Sequence, residues 1–396
     1  MSEQARQGRA VRWAVPVAAL AVVAGAIGAG PVIAAVQGDP ALPERTAEQL
    51  LASAVQASRG GLKPMSGTVV QTASLGLPGL PDVAGMSGSS PAALLAGSHE
   101  LKVWYGGEGK VRFALPGRMS ETNLIMNGDQ VWMWQSDVNK ATRIKVGEAK
   151  DAGSLGHGGP ADGAARKALP TATTPQQLAQ QLLEKAGDDT AISVTNTEKV
   201  ADRAAYQLLF APKDASSLVK EVKVALDAET FVPLRIQVYA RSAAEPAFEV
   251  GFTSVTFSPP AAENFAFTPP AGAKVEETSL GELAELAEER GTRQGEEHKG
   301  KARIIGKGWT TVAMIPASEL GKPTSAPRSE APQDAAGQDA DAIADAMLKS
   351  AKPISGAWGS GKVVQTKLVS ALLTDDGRLL VGAVTPQKLA EVAGQR

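Results

Sequence analysis

Between positions 65 and 274 the chain runs as short segments of alternating apolar and polar residues, closing on Asn264-Phe265-Ala266-Phe267-Thr268-Pro269-Pro270-Ala271-Gly272-Ala273. Alternation with period two sends successive side chains to opposite faces of a strand. A long succession of such strands on short turns constrains the chain to one large, curved antiparallel sheet with an apolar side. It reads as a container rather than a catalytic cleft.

The strands are expected at 67–72, 101–105, 111–115, 122–126, 130–135, 141–146, 191–199, 204–211, 219–226, 233–239 and 248–257, about eleven in all. Gly106-Gly107-Glu108-Gly109 and Asn127-Gly128-Asp129 supply residues that tolerate positive φ in tight hairpins. Two helices are expected. Thr46-Ala47-Glu48-Gln49 has the capping-box spacing ahead of a helix over 47–58, and Thr174-Pro175-Gln176-Gln177 opens another to 186.

The segment 73–98 is rich in Gly, Pro and Ser, yet it keeps Leu75, Leu77, Leu80, Val83, Met86, Leu94 and Leu95. An apolar loop of this kind is read as a lid or membrane-contact loop, or as packing on the end of the sheet.

The margins differ in character. Arg6, Arg9 and Arg12 precede an uncharged stretch over 13–37, which reads as an export segment. It is long enough to remain as a membrane anchor, while Val32-Ile33-Ala34 also suits cleavage. The chain beyond position 39 is expected outside the cytoplasm. The expected organisation is an export signal or anchor at 1–38, a main domain at 40–275, a charged extension at 276–317, a linker at 318–340 and a small α/β appendage at 341–396. The extension begins with an acidic, solvated helix from 274 to 297 and turns strand-like over 302–315. The appendage has a helix to 349, strands at 362–373 and 379–384 and a helix at 386–392.

Composition removes several functions. Forty basic residues against 42 acidic ones leave a net charge of -2, without a field to recruit nucleic acid. No cysteine is present, which excludes disulfides, thiolate catalysis and a lipidated cysteine. Gly356-Ala357-Trp358-Gly359-Ser360-Gly361-Lys362 has phosphate-loop spacing, but Val363 stands where a magnesium-binding hydroxyl is needed, so a hairpin turn is expected. His99, His157 and His298 have no metal-site spacing, and no Gly-x-Ser-x-Gly elbow occurs. No enzyme, cofactor or metal site is expected.

The order of a helix, five strands, a helix opened by Thr-Pro-Gln-Gln, five more strands and the Phe265-x-Phe267-x-Pro269-Pro270-x-Gly272 ending resembles the extracytoplasmic lipoprotein-carrier (LolA-like) family, over roughly 45–274. The Asn127-Gly128-Asp129-Gln130-Val131-Trp132 hairpin belongs to the same resemblance. The tail Val381-Gly382-Ala383-Val384-Thr385-Pro386-Gln387-Lys388-Leu389-Ala390-Glu391 is similar to the end of the sigma-factor regulatory (MucB/RseB-type) relatives. The resemblance implies an α+β fold, an open, incomplete antiparallel β-barrel with covering helices. Its concave face would take acyl chains of lipids or lipoproteins. Trp104, Leu124, Met126, Trp132 and Trp134 are the residues expected near that concavity. The implied role is carriage of lipid or lipoprotein, with a membrane reached through the N-terminal segment. The alternative is a membrane-anchored sensor that also binds an anti-sigma factor through the tail. The chain departs from the carriers in its low aromatic content, 4%, and in an export segment able to persist as an anchor.

Overall fold

The computed structural model describes residues 42–59, 61–76, 96–107, 109–117, 119–145, 187–195, 197–279, 303–316, 347 and 349–395. Helix α1, Ala47–Arg59, starts at the expected capping box. The Thr46 hydroxyl accepts from the Gln49 N–H at 3.2 Å, and the Gln49 side chain accepts from the Thr46 N–H at 3.0 Å. Leu50 of α1 is fully buried against Tyr206, Leu208 and Leu226.

The first meander comprises β1 (Met65–Ser74), β2 (Ala96–Gly107), β3 (Lys110–Pro116), β4 (Glu121–Asn127), β5 (Gln130–Gln135) and β6 (Lys140–Lys145). The second comprises β7 (Thr190–Val194), β8 (Glu198–Val200), β9 (Arg203–Pro212), β10 (Val219–Asp227), β11 (Pro233–Ala240) and β12 (Pro246–Thr256), and is followed by β13 (Lys274–Ser279). They form one sheet in the order β13-β6-β5-β4-β3-β2-β1-β12-β11-β10-β9-β7, with β8 also on β9. The terminal strands β13 and β7 do not pair, so the sheet is open. Antiparallel pairing of β1 with β12 joins the two meanders. Gly67 is required there, because a Cβ would collide with the Ser254 carbonyl oxygen.

Thirteen strands replace the expected eleven. The segment expected as one strand over 191–199 is broken into β7 and β8, while Thr195 still donates its N–H to Gln207 O at 2.9 Å. The residues from 274, expected to begin a solvated acidic helix, form strand β13, parallel to β6. Its carboxylates find cations there: Glu276 meets Lys140 and Lys274, both at 2.7 Å, and Glu277 meets Lys145 at 2.6 Å. Hydrogen bonds from Lys140 and Lys274 hold the Glu276 carboxyl at about 2.

A second sheet follows, ordered β14-β15-β19-β18-β17-β16. Its strands are β14 (Arg303–Ile305), β15 (Val312–Pro316), β16 (Lys352–Gly356), β17 (Gly359–Gln365), β18 (Ser370–Thr374) and β19 (Arg378–Gly382). Strand pairing thus divides the 276–317 stretch between the two sheets. The strand expected over 362–373 is interrupted by a turn in which Thr366 N–H donates to Val369 O at 2.8 Å. The phosphate-loop-like residues are the β16–β17 hairpin. Helix α2, Pro386–Ala393, is capped by the Thr385 side chain. Its Leu389, Val392 and Ala393 pack on Val312, Met314, Leu372 and Leu380. On the sheet's other face Ile304, Ala313, Val381, Ala371 and Val364 form a row paired across five strands, beside Ile315, Leu379 and Leu373.

The second sheet is seated on one end of the main one. Leu218 N–H donates to Ala383 O at 2.9 Å, and Thr385 N–H to Ser216 O at 2.8 Å. The Trp309 indole donates to the Thr190 hydroxyl at 2.7 Å. Lys367 reaches Leu75 O through its N–H at 2.7 Å and the Ser74 hydroxyl through its ammonium at 2.8 Å.

The expected helix at 174–186, the linker at 318–340 and the export segment at 1–38 lie outside the described residues. Among the described residues no helix is long and apolar enough to cross a membrane.

The turn between β10 and β11 is organised by Asp227, which is fully buried. It pairs with Arg203 and accepts from Thr230 N–H at 2.7 Å and the Thr230 hydroxyl at 2.8 Å. Burial pushes its carboxyl up, but the bonds from Arg203 and Thr230 outweigh burial and hold it below the ordinary 3.8. A carboxyl depressed in the folded state contributes stability at pH above its unfolded value, and that contribution is lost as pH falls through the folded value. Asp227→Asn is expected to cost about 2 kcal/mol at pH 7, since Arg203 loses its buried charged partner and keeps the exposed Glu229. Urea unfolding between pH 7 and pH 2 should show the difference from wild type shrinking below pH 4.

Candidate apolar ligand surface

Directly paired residues share a face, so the register sorts the side chains of the main sheet. One face carries Phe210, Val222, Val238 and Phe248 across β9 to β12, then Val69, Leu101 and Val103 on β1 and β2. It continues through Phe113, Leu124 and Met133 on β3, β4 and β5. From β9 to β5 the residues paired on this face include no Asp, Glu, Lys or Arg, and Lys220 stands unpaired at the β10 bulge. The opposite face of the same strands holds the charges, among them Lys102, Arg112, Lys223, Arg235 and Glu249.

The cover over the uncharged face is uneven. At β9 and β10 it is α1, with Leu50 and Leu51. Trp309, Leu368 and Ala383, beside the second sheet, pack against the cluster formed by Val69, Leu101, Val103, Val219, Val222, Ile236, Val238 and Val250. Toward β6 the cover thins: Val111, Phe113, Leu115, Met126, Met133 and Ile144 are half-buried, and Leu124 is 40% exposed. Among the described residues no charged side chain is paired on this face from β3 to β5.

The opposite face at β3–β5 is partly covered by the chain itself, with Trp104, Trp132 and Trp134 half-buried. A 3-10 turn at Ala262–Phe265 seats the Phe265 ring, 3% exposed, over Gly106. A Cβ at Gly106 would fall 2.8 Å from that ring. Phe267 lies against Trp132 and Trp134, with centroids at 5.5 and 6.1 Å. Arg112 stands over Trp104 at 5.3 Å and donates twice to the Asn123 side-chain oxygen Oδ1, at 3.0 and 2.9 Å. Its third contact is to Asn264 O at 3.5 Å, which fastens the closing segment.

The five residues expected at the concavity are therefore divided. Leu124 and Met126 lie on the uncharged, partly open face. Trp104, Trp132 and Trp134 lie on the other, Trp104 beside Arg112 and the latter two against Phe267. The structure adds Val111, Phe113, Leu115, Met133 and Ile144 beside Leu124. The Val111-x-Phe113-x-Leu115 alternation was the available signal for three of them. Of the apolar loop, Leu75 is half-buried with its carbonyl held by Lys367; Leu77, Leu80, Val83, Met86, Leu94 and Leu95 lie outside the described residues.

Elsewhere, a groove of about 380 Å³ beside α1 is lined mainly by polar side chains, including Glu44, Arg45, Gln49, Ser53 and Gln56. Among the described residues no cluster of His, Asp or Glu could hold a metal ion.

No family model and no curated protein matches the chain. Solved structures do. The MucA/MucB complex of Pseudomonas aeruginosa matches at 14% identity, covering 88% of this chain and 96% of that one with a TM-score of 0.39. A LolA superfamily protein from Nitrosomonas europaea matches at 12% identity, over 57% of this chain and 99% of that one, with a TM-score of 0.22. The lipoprotein LppX of Mycobacterium tuberculosis matches at 9% identity, over 54% and 97%, with a TM-score of 0.27. The structural neighbours thus include both kinds of protein that the sequence resembles.

Removing the Phe265 ring, as in Phe265→Ala, is expected to cost about 3–5 kcal/mol. Gly106→Val should cost about 1–3 kcal/mol by overpacking the same place. In the double variant the cavity admits the added side chain, so urea unfolding should give a total smaller than the sum of the two single losses.

Proposed function

We propose that the chain is an exported, non-enzymatic binding protein that seats the acyl chains of a lipid or lipoprotein on the uncharged face between β3 and β6, and carries them. The observation that supports this most is the unequal treatment of the two faces there. One is partly covered by Phe265 and Phe267, with Ala114, Asn123 and Ile125 buried, while the uncharged one leaves Leu124 40% exposed among half-buried aliphatic neighbours. Burial of each methylene contributes about 0.8 kcal/mol, so a dozen of them supply on the order of 10 kcal/mol before ordering costs. No fixed charge is needed to hold such a cargo. The arginines and uncharged stretch of the first 38 residues support export, as a cleaved signal or an anchor.

A second reading, a lipid-dependent sensor with a protein partner such as an anti-sigma factor, is favoured by one contact. Trp309, Leu368 and Ala383 of the second domain rest on the same uncharged face as the proposed cargo. Cargo and partner-binding domain would then share a surface. A cut at position 341 cannot separate the two roles, because β14 and β15 pair into the sheet built by β19. Removal of 303–396 is the informative deletion: retained lipid with loss of a protein partner favours the sensor.

Native mass spectrometry of the full chain, purified from a membrane-containing host, should show a stoichiometric lipid or acylated peptide of unchanged mass. A ligand-free protein that also refuses a fluorescent fatty acid would end the carrier reading. Leu124→Glu is expected to weaken fatty-acid binding about tenfold or more, by placing a charge under the cargo. Trp132→Ala should leave binding within about twofold while lowering stability by about 3 kcal/mol.

A further inference from the structure

The row led by Ile304 on the second sheet repeats the pattern of the main sheet. It crosses β14, β15, β19, β18 and β17 with aliphatic residues alone, and none of them is buried. Ile304 is 68% exposed. Burial of side chains on this sheet is provided from the other side, by α2.

Alternation along the chain gives this face its neighbour. Ala383 follows Leu379 and Val381 at the same parity, and Ala383 packs against the uncharged cluster of the main sheet with Leu101, Val103 and Val219. The backbone is pinned at that point by Leu218 N–H to Ala383 O and by the bridge between Ser217 and Val384. Two uncharged faces thus meet at Ala383. At roughly 4.8 Å per strand, the five-strand row extends the apolar surface by about 20 Å, comparable to an extended long acyl chain.

We infer that the apolar ligand surface continues from the main sheet onto the face of the second sheet that bears Ile304 and Val381, and that it fits a lipid with more than one acyl chain. This rests on the acyl-chain reading of the β3–β6 face. A single fatty acid fills the main-sheet portion, and the additional chains of a diacyl or triacyl molecule occupy the second sheet. Continuity with an uncharged surface, and a row without a hydrogen-bonding side chain, favour hydrocarbon over a peptide as the occupant, Lys362 standing outside the row beside Leu373.

The test compares palmitate with a synthetic triacylated lipopeptide, each titrated onto the full chain and onto Ile304→Glu, Val381→Asp and Leu124→Glu variants. Ile304 is exposed enough for its variant to fold, and a thermal melt verifies each protein. The triacylated ligand should bind wild type about tenfold or more tightly than palmitate and lose about tenfold in Ile304→Glu and Val381→Asp, with palmitate unchanged. Leu124→Glu should weaken both. Triacyl binding that is indifferent to the second-sheet variants overturns the inference, as does a protein partner captured on that face while lipid binding is unaffected. Wild type taking palmitate but refusing the triacylated ligand overturns it as well and leaves the carrier reading standing. If neither lipid binds wild type, both fall.

Discussion

The pairing of β1 with β12 is the contact on which the rest of the molecule depends. β1 begins the sheet in sequence but lies in its middle, and its ladder to β12 turns two local meanders into one surface. Without it the uncharged face would end at two separate edges. The pairing tolerates no side chain at Gly67, where the Ser254 carbonyl oxygen and the Phe252 ring occupy the space. It also carries a register shift between Thr68 and Val69, which keeps Phe252 on the same face as Val69 despite an extra residue in β12.

With the meanders joined, the sheet separates its chemistry by face. Acidic and basic side chains gather on one side, where Gln237 donates to Glu249 at 2.9 Å and Lys223 lies over Tyr239 at 4.8 Å. Aliphatic and aromatic residues gather on the other. Among the described residues a capped helix covers one part of that second side and residues of the second sheet another, while toward β6 its side chains are half-buried or exposed. The proposed site rests on that gradient of cover rather than on any reactive group.

Most strands were legible because alternation and turn residues are local signals. β5 has both of its expected ends, since the Trp132 and Trp134 alternation and the Asn127-Gly128-Asp129 turn leave little choice. The extra length of β2 was not legible: Ala96, Gly97 and Ser98 have poor strand propensity and are held by their ladder to β1. β13 escaped for a similar reason, because a Glu-rich segment forms a strand only when a neighbouring edge offers Lys140, Arg143 and Lys145. Alternation separates Leu124 and Met126 from Trp132 and Trp134 into two faces without saying which is covered. Phe267, which lies against the two tryptophans, arrives some 130 residues after them.

The same central pairing governs the order of assembly. Thr68 and Ser254, in contact across β1 and β12, are separated by 186 positions. Contacts so distant in sequence make for slow folding, since a long loop must close before they reward it. A chain threaded through a membrane from its N-terminus would deliver β1 to β6 first, with the outer edge of β1 unsatisfied until β12 emerged. During that interval the first meander carries an exposed backbone edge and an uncovered hydrophobic side, the combination that invites pairing with other chains. The topology that unites the apolar face therefore leaves that face exposed until β12 has been made, independent of what the finished protein carries.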